Sequence, residues 1–332
     1  MNNNNMNTNQ NIIINRIAPN YLQHAQIQRI SAQKIYTHFC SHLTHLHHLH
    51  HLHHLQKSSE HNSPQCNNFI QDNHFTKDIT ILDLGSGSGT LSHCIHDIKT
   101  IMPQSTTTIL CDLNIEMLKT ATKLSYPNQN TQSTYINQST QGNQNTHGTQ
   151  DKQDKQKNHG NSNFVNADSH SLPFADNSFD IIISNLMIQW STSKSTIIQE
   201  IKRILKPNGQ FICTTLLDES LWQLQQTWVK ILGNNNTRTL KFEHLDYYKE
   251  ICAQNELNVQ HSEFWEHTEY FNTTLDLMRH FKNTGTNIAL PHGSGLGGKQ
   301  RLQEFNQIYE SMRTESGLPL CYKYGLFIAT YK

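Results

Sequence analysis

Three glycines set two residues apart, Gly85, Gly87 and Gly89, lie inside the string LDLGSGSGT at 82–90. They follow a short apolar run at 79–84 and precede a helical pattern from about Thr90. Glycine permits positive φ and lets a ligand approach the main chain where a Cβ would intervene. The arrangement predicts a turn at the end of a strand that cradles a nucleoside-like ligand, with Ser86 inside it. The spacing is GxGxG where dinucleotide sites carry GxGxxG, and the acid Asp83, two positions before the first glycine, would repel a pyrophosphate. A second apolar run ends in Asp112 (ILCDLN, 109–114), about the distance downstream at which an acid accepts hydrogen bonds from both ribose hydroxyls. The alternative for Asp112 is an ordinary helix N-cap, and the two roles are compatible. Leu113 adjoins it. Asp168 in NADS (166–169) follows a third short run; alone it reads as a turn residue, but its order after the other two strand ends places it for an adenine amino group, with Ser169 offering a backbone N–H.

The elements that must position these residues alternate. Apolar runs at 79–84, 107–111, 164–165, 179–184 and 210–217 read as strands. Helical patterns from Thr90, at 115–124 and at 195–205 separate them, and Lys206, Pro207, Asn208 and Gly209 form a turn. Strands alternating with helices imply βαβ units and a mostly parallel sheet covered on both faces. Ligands then bind at the carboxyl ends of the strands, near the switch point.

Composition bounds the partners. With 26 basic and 26 acidic residues the formal net charge is 0, which argues against nucleic acid and an anionic membrane. No run of about 20 apolar residues exists to span a bilayer. The first ten residues lack the basic and apolar regions of a secretion signal. The seven cysteines (40, 66, 94, 111, 213, 252 and 321) form no CxxC pair and read as reduced thiols, so a cytoplasmic location is expected.

Residues 1–11 read as a disordered tail and 12–332 as one domain with low-complexity insertions at 42–75 and 127–163. In the second insertion, expected to be a disordered loop, Tyr135 and Ile136 are the residues able to bury much apolar area, too little to offset the entropy of ordering it. The first opens on Leu43, Leu46, Leu49, Leu52 and Leu55 with histidines between them. Imidazole suits Zn, Ni and Cu. A three-residue step nevertheless winds around a helix, and the favoured reading is a low-complexity expansion with no metal site.

SLPFADNSFDIIISNLMIQW (171–190) and EIKRILKPNGQFICTTL (200–216) complete, with the earlier strings, a set of five motifs in order that resembles class I S-adenosylmethionine-dependent methyltransferases. The resemblance implies that Asp83 helps hold the methionine end, commonly through water, and that Ser184, Asn185 and Gln189 lie near the methyl-donating end. More narrowly, NYLQHAQIQR (20–29), SNLMIQW (184–190), LKPNGQFICTTL (205–216), SLWQLQQTW (220–228) and YESMRTESGLPLCYKYG (309–325) resemble the malonyl-acyl carrier protein O-methyltransferase family of biotin synthesis. Tyr21, Ala25 and Gln28 stand in matching positions. The two polar insertions and PHGSGLGGKQ (291–300) depart from that pattern.

The family implies methyl transfer to the free carboxylate of a malonyl thioester carried by acyl carrier protein or coenzyme A. That carboxylate is ionised at neutral pH, so no base is required. The reaction gains most from alignment and exclusion of water. A carboxylate substrate calls for a guanidinium; Arg313 is the first candidate, Arg279 and Lys282 the second, although the latter two read better as surface charges. Tyr21 is a candidate to close the pocket beside the sulfonium, with an ordinary packing tyrosine as the alternative. The expected architecture is a Rossmann-like seven-stranded sheet whose later strands lie at 259–270 and 322–330, the last antiparallel. Helices at 274–281 and 299–313 would form a cap within about 272–320. Two other functions compete: methylation of another small carboxylate or a quinone-like carbon, and donor binding without catalysis.

Overall fold

The computed structural model describes residues 26–39, 78–91, 106–125, 135–137, 162–233, 240–283 and 296–331. Tyr21, the histidine- and leucine-rich run, most of the helix expected after Thr90, and Cys40, Cys66 and Cys94 lie outside them.

Helix α1 spans 26–39. Then follow β1 (Thr80–Leu84), β2 (Thr107–Asp112), α2 (Ile115–Ser125), β3 (Tyr135–Asn137), β4 (Ser162–Asn166) and β5 (Phe179–Asn185). A 3-10 turn at Ile188–Trp190 leads to α3 (Lys194–Ile204), β6 (Leu205–Leu216), α4 (Trp222–Leu232) and α5 (Leu245–Gln254). The chain closes with β7 (Leu257–Phe271), α6 (Thr274–Asn283), α7 (Leu296–Glu310) and β8 (Leu318–Tyr331). The strands form one sheet in the order β3-β4-β2-β1-β5-β6-β8-β7. β1 lies between β2 and β5, both parallel to it, whereas β8 runs antiparallel to β6 and β7. The chain leaves β1 toward β2 and later returns to its other side at β5, which makes the carboxyl end of β1 the switch point.

The seven expected strands are all present, and β3 is an eighth. It falls within the insertion expected to be disordered: Tyr135, Ile136 and Asn137 pair with Phe164, Val165 and Asn166. An edge strand offers unpaired backbone groups, and this short β-forming triplet takes them up. The 206–209 turn lies inside β6, because Leu205 already pairs with Phe179 and the register resumes at Gln210 with Ile181. Asn208 there has φ +63°, and a Cβ on Gly209 would lie 2.7 Å from the Lys206 carbonyl oxygen.

Each face of the sheet has its own core. On one, α3 buries Ile197, Ile198, Ile201 and Ile204, one stripe of a 3.6-residue period, with α5 against Leu82, Ile182, Phe211 and Ala329. On the other, α1 packs Ala32, Ile35 and Phe39 on Ile81, Ile181, Ile183, Ile212 and Leu326. Each such isoleucine contributes roughly 1.5–3 kcal/mol by burial. The β7–β8 ribbon continues beyond the end of β6, since Leu216 pairs with Tyr324 while pairing with β7 runs on to Leu318 opposite Phe271. Against this extension pack Trp228, Leu277, Phe281, Phe305 and Tyr309, from α4, α6 and α7. No helix among the described residues is long and apolar enough to cross a membrane.

Candidate functional site

The glycine turn is fastened to the end of the neighbouring strand. The amides of Gly85 and Ser86 donate to the Cys111 carbonyl (2.7 and 3.0 Å), and that of Gly87 donates to Asp112 Oδ2 (2.8 Å). All three glycines have positive φ (71°, 55° and 79°). At Gly85 a Cβ would also collide with Met187, whose Cγ would be 2.2 Å away, so the turn passes directly beneath the segment that follows β5. At Gly87 the space is open except for Met117 Cε at 3.5 Å.

Asp112 braces this turn. Its Oδ1 accepts the Asn114 amide at 2.7 Å, and Asn114 in turn caps α2, its Oδ1 accepting the amides of Glu116 and Met117. The helix cap is therefore Asn114, two residues beyond the aspartate. Burial raises the Asp112 pKa, against the lowering effect of the Asn114 and Gly87 amides. Each carboxylate oxygen has two lone-pair directions, so both retain acceptor capacity beyond their backbone bond. Leu113 beside it is exposed, at 47%. The ends of β2 and β4 are joined by Asn166, whose Nδ2 donates to the carbonyls of Asp112 and Leu113. Asp168 follows β4 and bonds the His170 ring and amide through Oδ1 (2.6 and 2.9 Å), while His170 Nε2 reaches Ser191 Oγ at 2.7 Å. Ser169 is half-buried beside it.

The third group closes the switch point from the β5 side. Ser184 Oγ donates to the Leu84 carbonyl (2.9 Å). Asn185 Nδ2 donates to the Gln28 carbonyl of α1 (3.0 Å), and its Oδ1 accepts from Thr214 (2.7 Å). Gln189 is buried and accepts from Thr215 (3.1 Å). Asp83 is buried in β1, between Leu110 and Ile183 of the adjoining strands. The expected residues 83–89, 112–113, 168–169, 184–185 and 189 thus converge on the carboxyl ends of β1, β2, β4 and β5.

The residues fit a nucleoside with a charged amino-acid end. Ser86 Oγ is buried and finds no hydrogen-bond partner among the described residues, the Asp112 carboxylate has acceptor capacity, and an exposed leucine lies beside it.

The candidate cations for the substrate lie in the cap. The Arg313 guanidinium is engaged by both Glu310 oxygens (2.7 and 2.8 Å) and by the Asn272 carbonyl (2.9 Å), in an exposed position at the end of α7. Arg279 pairs with Asp276, and Lys282 is exposed on α6, so both sit as surface charges.

A polar cluster in the cap was not anticipated. Glu269 Oε2 lies 3.5 Å from His280 Nδ1, and His280 Nε2 lies 2.9 Å from Tyr322 OH. Burial pushes the Glu269 carboxyl up to about 7 and lowers the His267 pKa. Trp265 Nε1, His267 Nε2, Glu269 Oε1 and Tyr324 OH are buried without a hydrogen-bond partner among the described residues. The signal was the two-residue alternation Glu263, Trp265, His267, Glu269; what it could not show is that this face turns toward the cap.

Residues 82–213 match the model of a methyltransferase domain, and a second methyltransferase-domain model matches 149–289. A malonyl-[acyl-carrier protein] O-methyltransferase of Hahella chejuensis is 32% identical over 163 residues, 49% of this chain and 57% of the relative. A protein of the same name from a Marinomonas species is 26% identical over 51% of this chain and 62% of its own length. The biotin biosynthesis bifunctional protein BioHC of Saccharophagus degradans is 32% identical over 49% of this chain and 30% of its own. The matches therefore span less than two thirds of these relatives. Among solved structures, a Bacillus halodurans protein aligns over 79% of this chain and 96% of its own at 12% identity, with a TM-score of 0.48.

Proposed function

We infer that this chain, a class I methyltransferase by fold and motif, transfers a methyl group from S-adenosylmethionine to the free carboxylate of a malonyl thioester. The observation that carries the donor half is the brace between Asp112 and the Gly87 amide at the switch point. The acceptor half is supported by the names of the Hahella and Marinomonas relatives.

S-adenosylmethionine, when bound, supplies an electrophilic methyl group on a sulfonium. In this reading Asp112 accepts the ribose hydroxyls and Leu113 offers its exposed side chain to the base. Asp168 and Ser169 meet the adenine edge, while Asp83, Gly85, Ser86, Gly87 and Gly89 hold the methionine end. Ser184, Asn185 and Gln189 set the wall nearest the reacting atoms, and Tyr21, outside the described residues, is the candidate for the sulfonium. The chain needs no proton acceptor for a carboxylate substrate, so its work is alignment and exclusion of water. The cap, whose core shares Leu186 and Leu216 with the ends of β5 and β6, provides that exclusion. Trp265 Nε1 and Tyr324 OH are donors suited to a carboxylate oxygen. We assign Arg313 the contact only if the substrate displaces Glu310.

One observation favours a second reading. A buried Glu269 beside His280 and Tyr322 is a base relay of the kind an acceptor that must lose a proton requires, such as a quinone-like carbon. Mass spectrometry of the full chain incubated with S-adenosylmethionine and malonyl, succinyl, free-acid or phenolic acceptors decides between them. Methyl ester formed on malonyl-acyl carrier protein or malonyl-coenzyme A is expected. Preferential methylation of the phenolic acceptors would overturn it, and tight donor binding without any product would point to a non-catalytic protein. Growth rescue of a biotin-requiring mutant lacking this methylation step provides the cellular test.

A further inference from the structure

On the face of the sheet covered by α1, away from the glycine turn, two imidazoles and a carboxylate meet. His38 Nε2 at the end of α1 lies 3.0 Å from Glu263 Oε1, and the His38 and His261 rings have centroids 4.8 Å apart. One ligand atom from each of the three lies within 4.8 Å of the others. We propose that His38, His261 and Glu263 bind a first-row transition-metal ion, zinc foremost, and so clamp α1 to the edge strand β7. The proposal is independent of the reading of the active site.

The local structure of β7 explains how the strand delivers two ligands to this point. Val259 pairs with Ala329, but His261 pairs with Ile328, so Gln260 is an extra residue in the edge strand. Ala329 belongs to the core beneath α3 and α5, and Ile328 to the core beneath α1. In an unbroken strand His261 would share the face of Val259; the bulge moves it to the α1 face, and Glu263 follows two residues later. α1 brings His38 to them from the other side. Bulges at sheet edges commonly re-aim a side chain in this way.

The donor set is chemically apt. Two neutral imidazoles and one carboxylate match the ligands of zinc, with bonds of roughly 2.0–2.2 Å, and leave a position for water. Small side-chain rotations bring atoms now within 4.8 Å to the ligand spacing of about 3.3 Å that such bonds imply. Lys34 is the competing cation: its Nζ stands 3.5 Å from Glu263 Oε1 and 5.4 Å from the Trp265 ring centre. A bound dication replaces it at the carboxylate, and Lys34 retains the indole face. This predicts that Lys34→Gln tightens metal binding.

To exclude any contribution from the histidine-rich run at 42–54, the test uses the full chain with those histidines replaced by asparagine. Titration calorimetry with zinc chloride is expected to show one saturable equivalent in this background. Affinity should fall by roughly tenfold or more in His261→Ala and in Glu263→Gln and rise in Lys34→Gln, and zinc should raise the melting temperature of the parent and of Lys34→Gln but not of the other two variants. Melting curves without zinc check that each variant folds. Absence of saturable binding once the run is substituted, or binding that His261→Ala and Glu263→Gln leave unchanged, would overturn the site.

Discussion

The donor end and the cap solve the problem of holding polar groups by different means. At the donor end most contacts join a backbone group to a side chain near a strand end: Gly87 to Asp112, Asn114 to Asp112, His170 to Asp168. In the cap, Glu269, His280 and Tyr322 come from three elements, and several neighbouring polar atoms find no hydrogen-bond partner among the described residues. A backbone-built site is rigid before any ligand arrives. A buried side-chain cluster with open valences is tuned by whatever enters it.

The largest expected effect tests the rigidity of the first region. Asp112→Ala removes two charge-assisted bonds as well as the proposed ribose acceptor. Affinity for S-adenosylmethionine is expected to fall on the order of 100-fold or more by calorimetry, while Asp112→Asn, which keeps one acceptor oxygen, loses less. Equal affinity in the alanine variant would break the picture of a braced turn. Next comes Gly85→Ala, where φ +71° and the Met187 side chain both oppose a methyl group. A loss of about 1–3 kcal/mol in urea unfolding is expected, against a smaller loss for Gly87→Ala, which meets only Met117 Cε at 3.5 Å.

That contrast follows what the sequence made legible. The glycine spacing, Asp112 and Asp168 are local signals read within one strand and its turn, and each falls at the expected strand end. The helix cap at Asn114 was missed because Asp and Asn two residues apart are chemically equivalent caps. β3 was missed because three residues in a polar stretch carry no period to read; a partner strand was needed to reveal them. Glu269 and His280 were missed for a related reason: eleven residues apart, they meet across β7 and α6, a proximity no spacing rule encodes.

A pH experiment sharpens the account of the cap. Glu269 has its carboxyl raised from 4.5 to about 7 in the folded chain, chiefly by burial. A raised folded value means the stabilising contribution is complete below pH 4.5 and is lost as pH climbs through 7. Beside His267 and His280, the wild type should therefore become less stable by roughly 2 kcal/mol between pH 5 and pH 8 relative to Glu269→Gln, read from urea midpoints at each pH. Parallel curves for the two proteins would show that Glu269 is ionised and compensated throughout.

The smallest effect is expected at Arg313, and it decides which region the substrate carboxylate meets. In its exposed position the Glu310 pair adds little to stability. The bond to the Asn272 carbonyl ties the end of α7 to the segment between β7 and α6. If that joint is its whole role, Arg313→Ala should leave donor binding intact and alter turnover of the malonyl thioester less than threefold. Glu310→Gln, which leaves the bond to Asn272 in place, should then change turnover no more than Arg313→Ala does. If instead Arg313 exchanges Glu310 for the substrate, the two variants diverge. Arg313→Ala would raise KM for the thioester and abolish growth rescue, whereas Glu310→Gln would lower KM by freeing the guanidinium.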